Sequence, residues 1–347
     1  MDLHERPNVP SNPLWSSPYF RGPMANPAFA TASAGTRKVL ITGGAGFIGS
    51  ALSKHLQELG HEVFVQDDLS FGRRHLAGVP DDRFFKADIR DRKATQAVFD
   101  ATRPNWVLHL AAVHFIPYCN EHPAEAADIN INGTISVLDA AQTKGSVEQV
   151  FVASTAAVYP IADGAMAEDH ELGPMDIYGT TKLATEKLAS EFHLRTRIPT
   201  LVGRFFNAFG PNETNPHLFP TIQRQILDGA RKLKLGNLDP KRDYIHTEDM
   251  GRAMSALLNA GIEGYDTFNI GRGIEYSVRE IVEAFERQLG EKLTIEVDPA
   301  RVRKVERMHL LADVRKLKQA TGWEPKWGID EGVATLLRED VDQVIGE

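Results

Sequence analysis

From Arg37 onward, short apolar runs alternate with longer stretches whose apolar positions recur every three or four residues. The runs at 38–42, 62–66, 83–87, 106–110, 149–153 and 200–204 read as strands. The stretches at 47–59, 91–102, 123–144 and 177–196 read as helices between them. Strands that alternate with helices build βα units around a parallel sheet, so an α/β fold is expected. Past Asn207 this rhythm weakens and Pro and Asn become frequent (Pro211, Asn212, Asn215, Pro216, Pro220, Asn237, Pro240). A smaller, less regular lobe is expected over 207–347, interleaved with elements that complete the main body at 37–206. Residues 1–36 show no sustained period and carry Pro7, Pro10, Pro13, Pro18, Pro23 and Pro27. They read as a flexible extension, although Trp15, Tyr19 and Phe20 leave open a strap across the body or a contact with a second subunit.

Composition narrows the function classes. The chain has 347 residues, 42% hydrophobic and 25% charged, which is ordinary for a globular protein able to bury a large core. A net charge of −8 implies no broad basic field, so nucleic acid is not an expected partner. The longest apolar runs are strand-length, and no membrane span is expected. The start lacks the basic, apolar and small-residue succession of a signal peptide. The single cysteine, Cys119, allows no internal disulfide and fits a reducing cytoplasm; a lone thiol of this kind reads as packing.

Two short motifs carry the chemistry. Gly43, Gly46 and Gly49 follow a strand and open a helix. Small residues there let the backbone turn tightly and approach a pyrophosphate, which meets the amides of the helix N-terminus. The spacing is Gly-x-x-Gly-x-x-Gly rather than Gly-x-Gly-x-x-Gly, with Phe47 and Ile48 inside it. The second strand ends at Asp67-Asp68, where a carboxylate accepts from ribose hydroxyls and repels a 2′-phosphate. NAD is therefore favoured over NADP, while Arg73 and Arg74 keep the phosphorylated cofactor open. Asp88 and Ile89 end the third strand, suited to meet and pack on an adenine, and Leu110-Ala111-Ala112 leaves room at the end of the fourth. The second motif, Tyr178-Gly179-Thr180-Thr181-Lys182, puts a phenol and an ammonium one helical turn apart on one face. Together the motifs point to an enzyme that moves protons and hydride between a sugar-like alcohol and a nicotinamide. No His, Cys, Asp or Glu cluster has metal-ligand spacing, so no metal is expected.

From Arg37 to Trp327 the chain resembles the extended short-chain dehydrogenase/reductase family, in its nucleotide-sugar epimerase/dehydratase branch. The motifs that carry the resemblance are the TGGAGFIG turn, HLAA at 109–112, Asn130-Ile131-Asn132-Gly133-Thr134, Ser154 to Tyr159, YGTTK at 178–182, RFFNAFGP at 204–211 and RDYIH at 242–246. The resemblance implies a Rossmann-like doubly wound sheet with a smaller C-terminal substrate-binding lobe. It also implies bound NAD, a nucleotide-diphosphate sugar as substrate, and a homodimer formed through the helices near 123–144 and 177–196. Carried over by position, Tyr178 is the catalytic acid/base, Lys182 lowers its pKa and binds the nicotinamide ribose, and Thr155 bridges the substrate alcohol and the phenol. Asn130 and Phe205 fall among the family's cofactor positions, and Ser154 is assigned to cofactor or structure.

The residues after Thr155 bear on the reaction. The family's 4,6-dehydratases place Asp-Glu there, whereas this chain has Ala156 and Ala157, neither able to transfer a proton. The resemblance then implies NAD-dependent epimerisation, most simply at C4 of a UDP-sugar, with a reductase or dehydrogenase of the same fold and a non-catalytic cofactor-binding member as alternatives. Asn207, Arg242 and Arg303 match ligands of the diphosphate and nucleotide, Glu306 matches an acidic residue that contacts the nucleotide ribose, and Leu218 with Phe219 stands where the base is covered. His217 replaces a frequent Asn and His114 a Lys found in some 4-epimerases. Each is assigned to sugar or phosphate, with a packed core histidine as the other reading.

Overall fold

All six apolar runs form strands, and every neighbouring pair runs parallel. In a computed structural model that describes residues 35–143, 145–302 and 307–338, they are β1 (Lys38–Thr42), β2 (Glu62–Asp67), β3 (Phe84–Lys86), β4 (Trp106–His109), β5 (Gln149–Thr155) and β6 (Thr200–Phe205). A seventh strand, β7 (Tyr265–Ile270), pairs with β6 and was not among those expected. The sheet order is β7-β6-β5-β4-β1-β2-β3, so the winding reverses between β1 and β4. This is the doubly wound, Rossmann-like arrangement, and such a reversal opens a crevice at the carboxyl ends of the strands.

The apolar runs are continuous because helices cover both faces of the sheet. Val39, Ile41, Val63 and Val65 pack with Leu52 and Leu56 of the Phe47–Glu58 helix and with Met250, Met254 and Leu257 of the Thr247–Asn259 helix. Leu40, Phe64, Val107, Val150 and Val202 pack on the opposite side with Val98, Phe99, Val137, Ala189 and Phe192. Each such fully buried side chain contributes on the order of 1.5–3 kcal/mol.

The stretch 123–144 is not one helix. It divides into Pro123–Ala127, a π-helical turn at Asp128–Asn132 and Gly133–Gln142. Ile89 lies so close to this segment that a Cβ on Gly133 would sit 2.4 Å from its Cδ1. The widened turn carries Asn130, whose side chain bonds elsewhere in the fold.

Beyond Asn207 the chain adds a small sheet of Asn207–Phe209, Lys241–His246 and Glu275–Ser277, and a pair formed by Lys232–Leu235 and Thr294–Val297. Helices Leu218–Leu227, Val278–Leu289 and Ile329–Leu336 close over them around Phe209, Phe219, Ile222, Phe285 and Val333. The expectation for the N-terminal extension falls on residues outside those described, as do those for Arg303 and Glu306. Among the described residues no helix is long and apolar enough to cross a membrane.

Candidate active site

A cleft of about 1120 Å³ opens at the carboxyl ends of the strands. Its floor is the turn after β1. Gly43 has φ +75°, and a Cβ on Gly49 would lie 2.1 Å from the Gly43 carbonyl oxygen, so both positions require glycine. Gly46 caps the Phe47–Glu58 helix without a side chain, leaving its first amides facing the cleft beside Phe47 and Ile48. That geometry suits a pyrophosphate.

The ribose end is built from strand ends. Asp67 accepts from the Ala45 amide at 3.0 Å and the Leu69 amide at 2.9 Å, tying β2 to the glycine turn. Burial raises its carboxyl, and these backbone bonds oppose the rise. A carboxylate accepts at about four lone-pair sites, so ribose hydroxyls can still be met. Asp68 accepts from Ser70, and Asp88 pairs with Arg90 at 2.6 Å, which holds its carboxyl below the usual range. Asp68, Asp88, Ile89, Leu110, Ala111 and Ala112 all line the cleft. Arg74 turns away to Asp81 and stacks on Phe84.

Asn130 departs from its expected place. It is 1% exposed and does not line the cleft. Its Oδ1 accepts from the Val113 amide at 2.8 Å, and its Nδ2 donates to the Val113 carbonyl and to Thr181 Oγ1, both at 3.0 Å. It therefore ties the segment after β4 to the Ile177–Thr196 helix. Ser154 lines the cleft, yet its hydroxyl donates to Glu186 at 2.6 Å.

Thr155, Tyr178 and Lys182 line the cleft where β5 and the Ile177–Thr196 helix converge. Asp176 caps this helix by accepting from the Gly179 amide at 2.7 Å, which sets the first turn that carries Tyr178. A Cβ on Gly179 would lie 2.5 Å from the Ala157 carbonyl, so the helix presses directly on the Thr155 loop. Burial pushes the Tyr178 phenol up, while a hydrogen bond with Thr155 pulls it down. Lys182 is 2% exposed and is held down to about 8 by burial, with Glu186 opposing. Burial dominates the phenol in this structure. Ala156 and Ala157 line the cleft and bring no carboxylate to the positions after Thr155. Cys119 is buried, its thiol pushed up to about 11 by burial, and donates weakly to the Val113 carbonyl at 3.6 Å.

The cleft is also lined by Phe205, the strand partner of Thr155, and by Asn207, Leu218, Phe219, Arg242, His114 and His217. Sequence reasoning missed Arg307, which lines the same cleft and donates to the Tyr159 carbonyl at 2.8 Å. Arg242 lines the cleft too and donates to the Arg307 backbone carbonyl at 2.6 Å; burial, and then the Arg242 charge, lower the Arg307 guanidinium, and two such charges bordering one cleft favour an anion. Glu213 was missed as well, because nothing periodic marks it in its Pro- and Asn-rich loop. Asp243, inside the RDYIH run, accepts from the amides of Arg272, Gly273 and Ala312 and so anchors the strand that presents Arg242. Among the described residues no group of three His, Cys, Asp or Glu is placed to hold a metal ion.

The family model described as GDP-mannose 4,6 dehydratase matches residues 40–336. The chain belongs to the extended short-chain dehydrogenase/reductase family, in its nucleotide-sugar epimerase/dehydratase branch. Within this family it is 30% identical over 338 residues to a UDP-glucose 4-epimerase of Bacillus subtilis, a match spanning 89% of this chain and 98% of the relative. Its fold is similar to the Thermus thermophilus UDP-glucose 4-epimerase solved in complex with NAD, with a TM-score of 0.78, 30% identity and coverage of 89% and 99%. A Stenotrophomonas maltophila UDP-glucose 4-epimerase with bound NAD and formylated UDP-arabinopyranose gives a TM-score of 0.80 at 28% identity, covering 87% and 97%.

Proposed function

We propose that this protein is an NAD-dependent epimerase of a UDP-sugar, inverting C4 through a transient 4-keto sugar. The observation that carries the reading is the meeting of Thr155, Tyr178 and Lys182 in one cleft with a glycine turn of the dinucleotide type, while Ala156 and Ala157 bring no acid or base for elimination.

The cleft fits NAD on its own geometry: Gly43 and Gly49 let the turn close tightly against its own backbone and the end of β4, which brings the helix amides to the cleft for a pyrophosphate, and Asp67 and Asp68 stand at the ribose end, where a 2′-phosphate would be repelled. Neither Arg73 nor Arg74 lines the cleft to offset that repulsion. When bound, NAD supplies the acceptor and later the donor of hydride. Tyr178, as phenolate, takes the proton of the sugar 4-hydroxyl and returns it after the sugar has turned. Thr155 donates and accepts at once, which lets it hold the substrate oxygen against the phenol. Lys182 carries its charge below about pH 8, where it favours the phenolate and meets the nicotinamide ribose. Arg242, Arg307 and Asn207 hold the diphosphate, which becomes the tether for rotation. Leu218 and Phe219 cover the base.

Residues 37–206 then carry mainly the NAD half and 207–347 mainly the nucleotide-sugar half. A homodimer through the helices near 123–144 and 177–196 is part of the same proposal. It is supported by the exposed stripe Thr180, Lys187, Glu191 and Leu194 along the second helix, with Leu194 63% exposed. The lone cysteine supports action in the cytoplasm. Incubation of the purified protein with UDP-glucose or UDP-galactose, with no cofactor added, tests the reading. Interconversion is expected; strict dependence on added NADPH would favour a reductase and remove the epimerase.

A further inference from the structure

Two aromatic rings meet in the cofactor half of the cleft, and the chemistry above uses neither. Phe71 lies in the loop after β2, Tyr118 lies in the short helix Ile116–Glu121 after β4, and both line the cleft. Their ring centroids are 5.6 Å apart and their planes stand at 81°, an edge-to-face contact. Phe71 is 45% exposed, so the pair sits on the solvent side of the cleft and not in the core.

Topology fixes what this contact spans. β2 and β4 are the two neighbours of β1, and β1 leads into the turn of Gly43, Gly46 and Gly49. A contact between the segments that follow β2 and β4 therefore passes across the carboxyl end of β1, where that turn lies. A dinucleotide with its ribose at Asp67 and its nicotinamide at Tyr178 extends from the end of β2 toward β5, along the same line. Each ring is also held from behind. The Arg73 amide donates to the Ala45 carbonyl at 3.0 Å, and a Cβ on Gly72 would lie 3.0 Å from that carbonyl oxygen, so the Phe71 loop is laid onto the glycine turn. Asp68 stiffens it by accepting from the Ser70 amide at 2.9 Å and the Ser70 hydroxyl at 2.7 Å. The Tyr118 hydroxyl donates to Glu125 at 2.8 Å, and its ring lies 4.4 Å from that of His122. Both supports are local, so the two rings can part while the sheet and its glycine turn stay folded.

We propose that Phe71 and Tyr118 form a clasp over the coenzyme, and that the parting of the two rings sets the rate at which NAD is released. This rests on the reading that NAD occupies the cleft, and it suits an epimerase, which must return hydride to the sugar it was taken from. The test follows exchange of the NAD bound to the holoprotein for an excess of isotope-labelled NAD, read by mass spectrometry. Phe71→Ala and Tyr118→Ala are each expected to exchange about tenfold faster than wild type. The double variant is expected to exchange about as fast as either single one, because one missing ring already opens the clasp. Phe71→Tyr keeps the ring and is expected to stay within about twofold of wild type. Phe71 is exposed, so its variants are expected to keep the wild-type urea midpoint. Exchange within about twofold of wild type in both alanine variants, or a double variant faster by the product of the single effects, overturns the proposal and leaves the epimerase standing. Should no UDP-sugar turn over, the epimerase reading fails while exchange, which needs no sugar, still decides the clasp. A protein that neither carries nor takes up NAD overturns both.

Discussion

Ser154 Oγ donates to Glu186 Oε1 at 2.6 Å, joining the residue before Thr155 to the residue one helical turn after Lys182. Glu186 also takes a two-pronged bond from Arg204, Nε and Nη2 each at 2.9 Å, with the side chains 4% and 5% exposed. One buried carboxylate thus braces both β5 and the helix that carries Tyr178 and Lys182. Glu186→Gln leaves the Arg204 guanidinium buried without its counter-charge, and the expected loss of stability is about 3–5 kcal/mol. Urea unfolding checks this; stability within about 1 kcal/mol of wild type would show that the pair is dispensable.

The glycine turn makes a sharper prediction. Gly49→Ala places a methyl 2.1 Å from the Gly43 carbonyl oxygen and 2.8 Å from Gly44 Cα, so the turn must open. NAD affinity is expected to fall by about 2 kcal/mol or more, roughly 30-fold. Calorimetric titration of NAD into wild type and variant measures it. Wild-type affinity in the variant would mean that the pyrophosphate does not rest on this turn.

Stability is expected to decline in mild acid because of His109. Its ring bonds Thr42 Oγ1 at 2.7 Å and Thr134 Oγ1 at 2.9 Å, and burial, with Lys182 adding to it, lowers its pKa to about 3. Between the ordinary histidine value of 6.5 and that folded value the unfolded chain binds the extra proton, so stability drops as pH falls through the window. The His109 contribution lost from pH 6.5 to 5 is on the order of 2 kcal/mol. Urea unfolding across that range should show a shallower pH dependence in His109→Gln; an identical slope would assign the acid sensitivity elsewhere.

What could be read from the chain followed from burial. The strands from Lys38–Thr42 to Thr200–Phe205 stood out because helices cover both faces, which makes their sequences continuously apolar. Tyr265–Ile270 escaped notice because its first half is only partly buried and polar, in the run Tyr-Asp-Thr. The stretch 123–144 kept a helical period through its π turn, since one extra residue in a turn hardly disturbs the apolar spacing, and the bracing bonds of Asn130 could not be read from it. Spacing showed Tyr178 and Lys182 only as a pair on one helix face; the roles expected of them came from the family resemblance. Glu213 and Arg307 were not legible, because long-range folding, with no local pattern, brings them to the cleft.

The most direct test is product analysis by NMR after UDP-galactose is incubated with wild-type protein and with Tyr178→Phe, each carrying its bound NAD and no added reductant. The wild type should form UDP-glucose without net consumption of NAD. The variant should retain NAD and lose turnover by at least about 100-fold. Undiminished turnover in Tyr178→Phe, or a 6-deoxy-4-keto sugar from the wild type, would contradict the account.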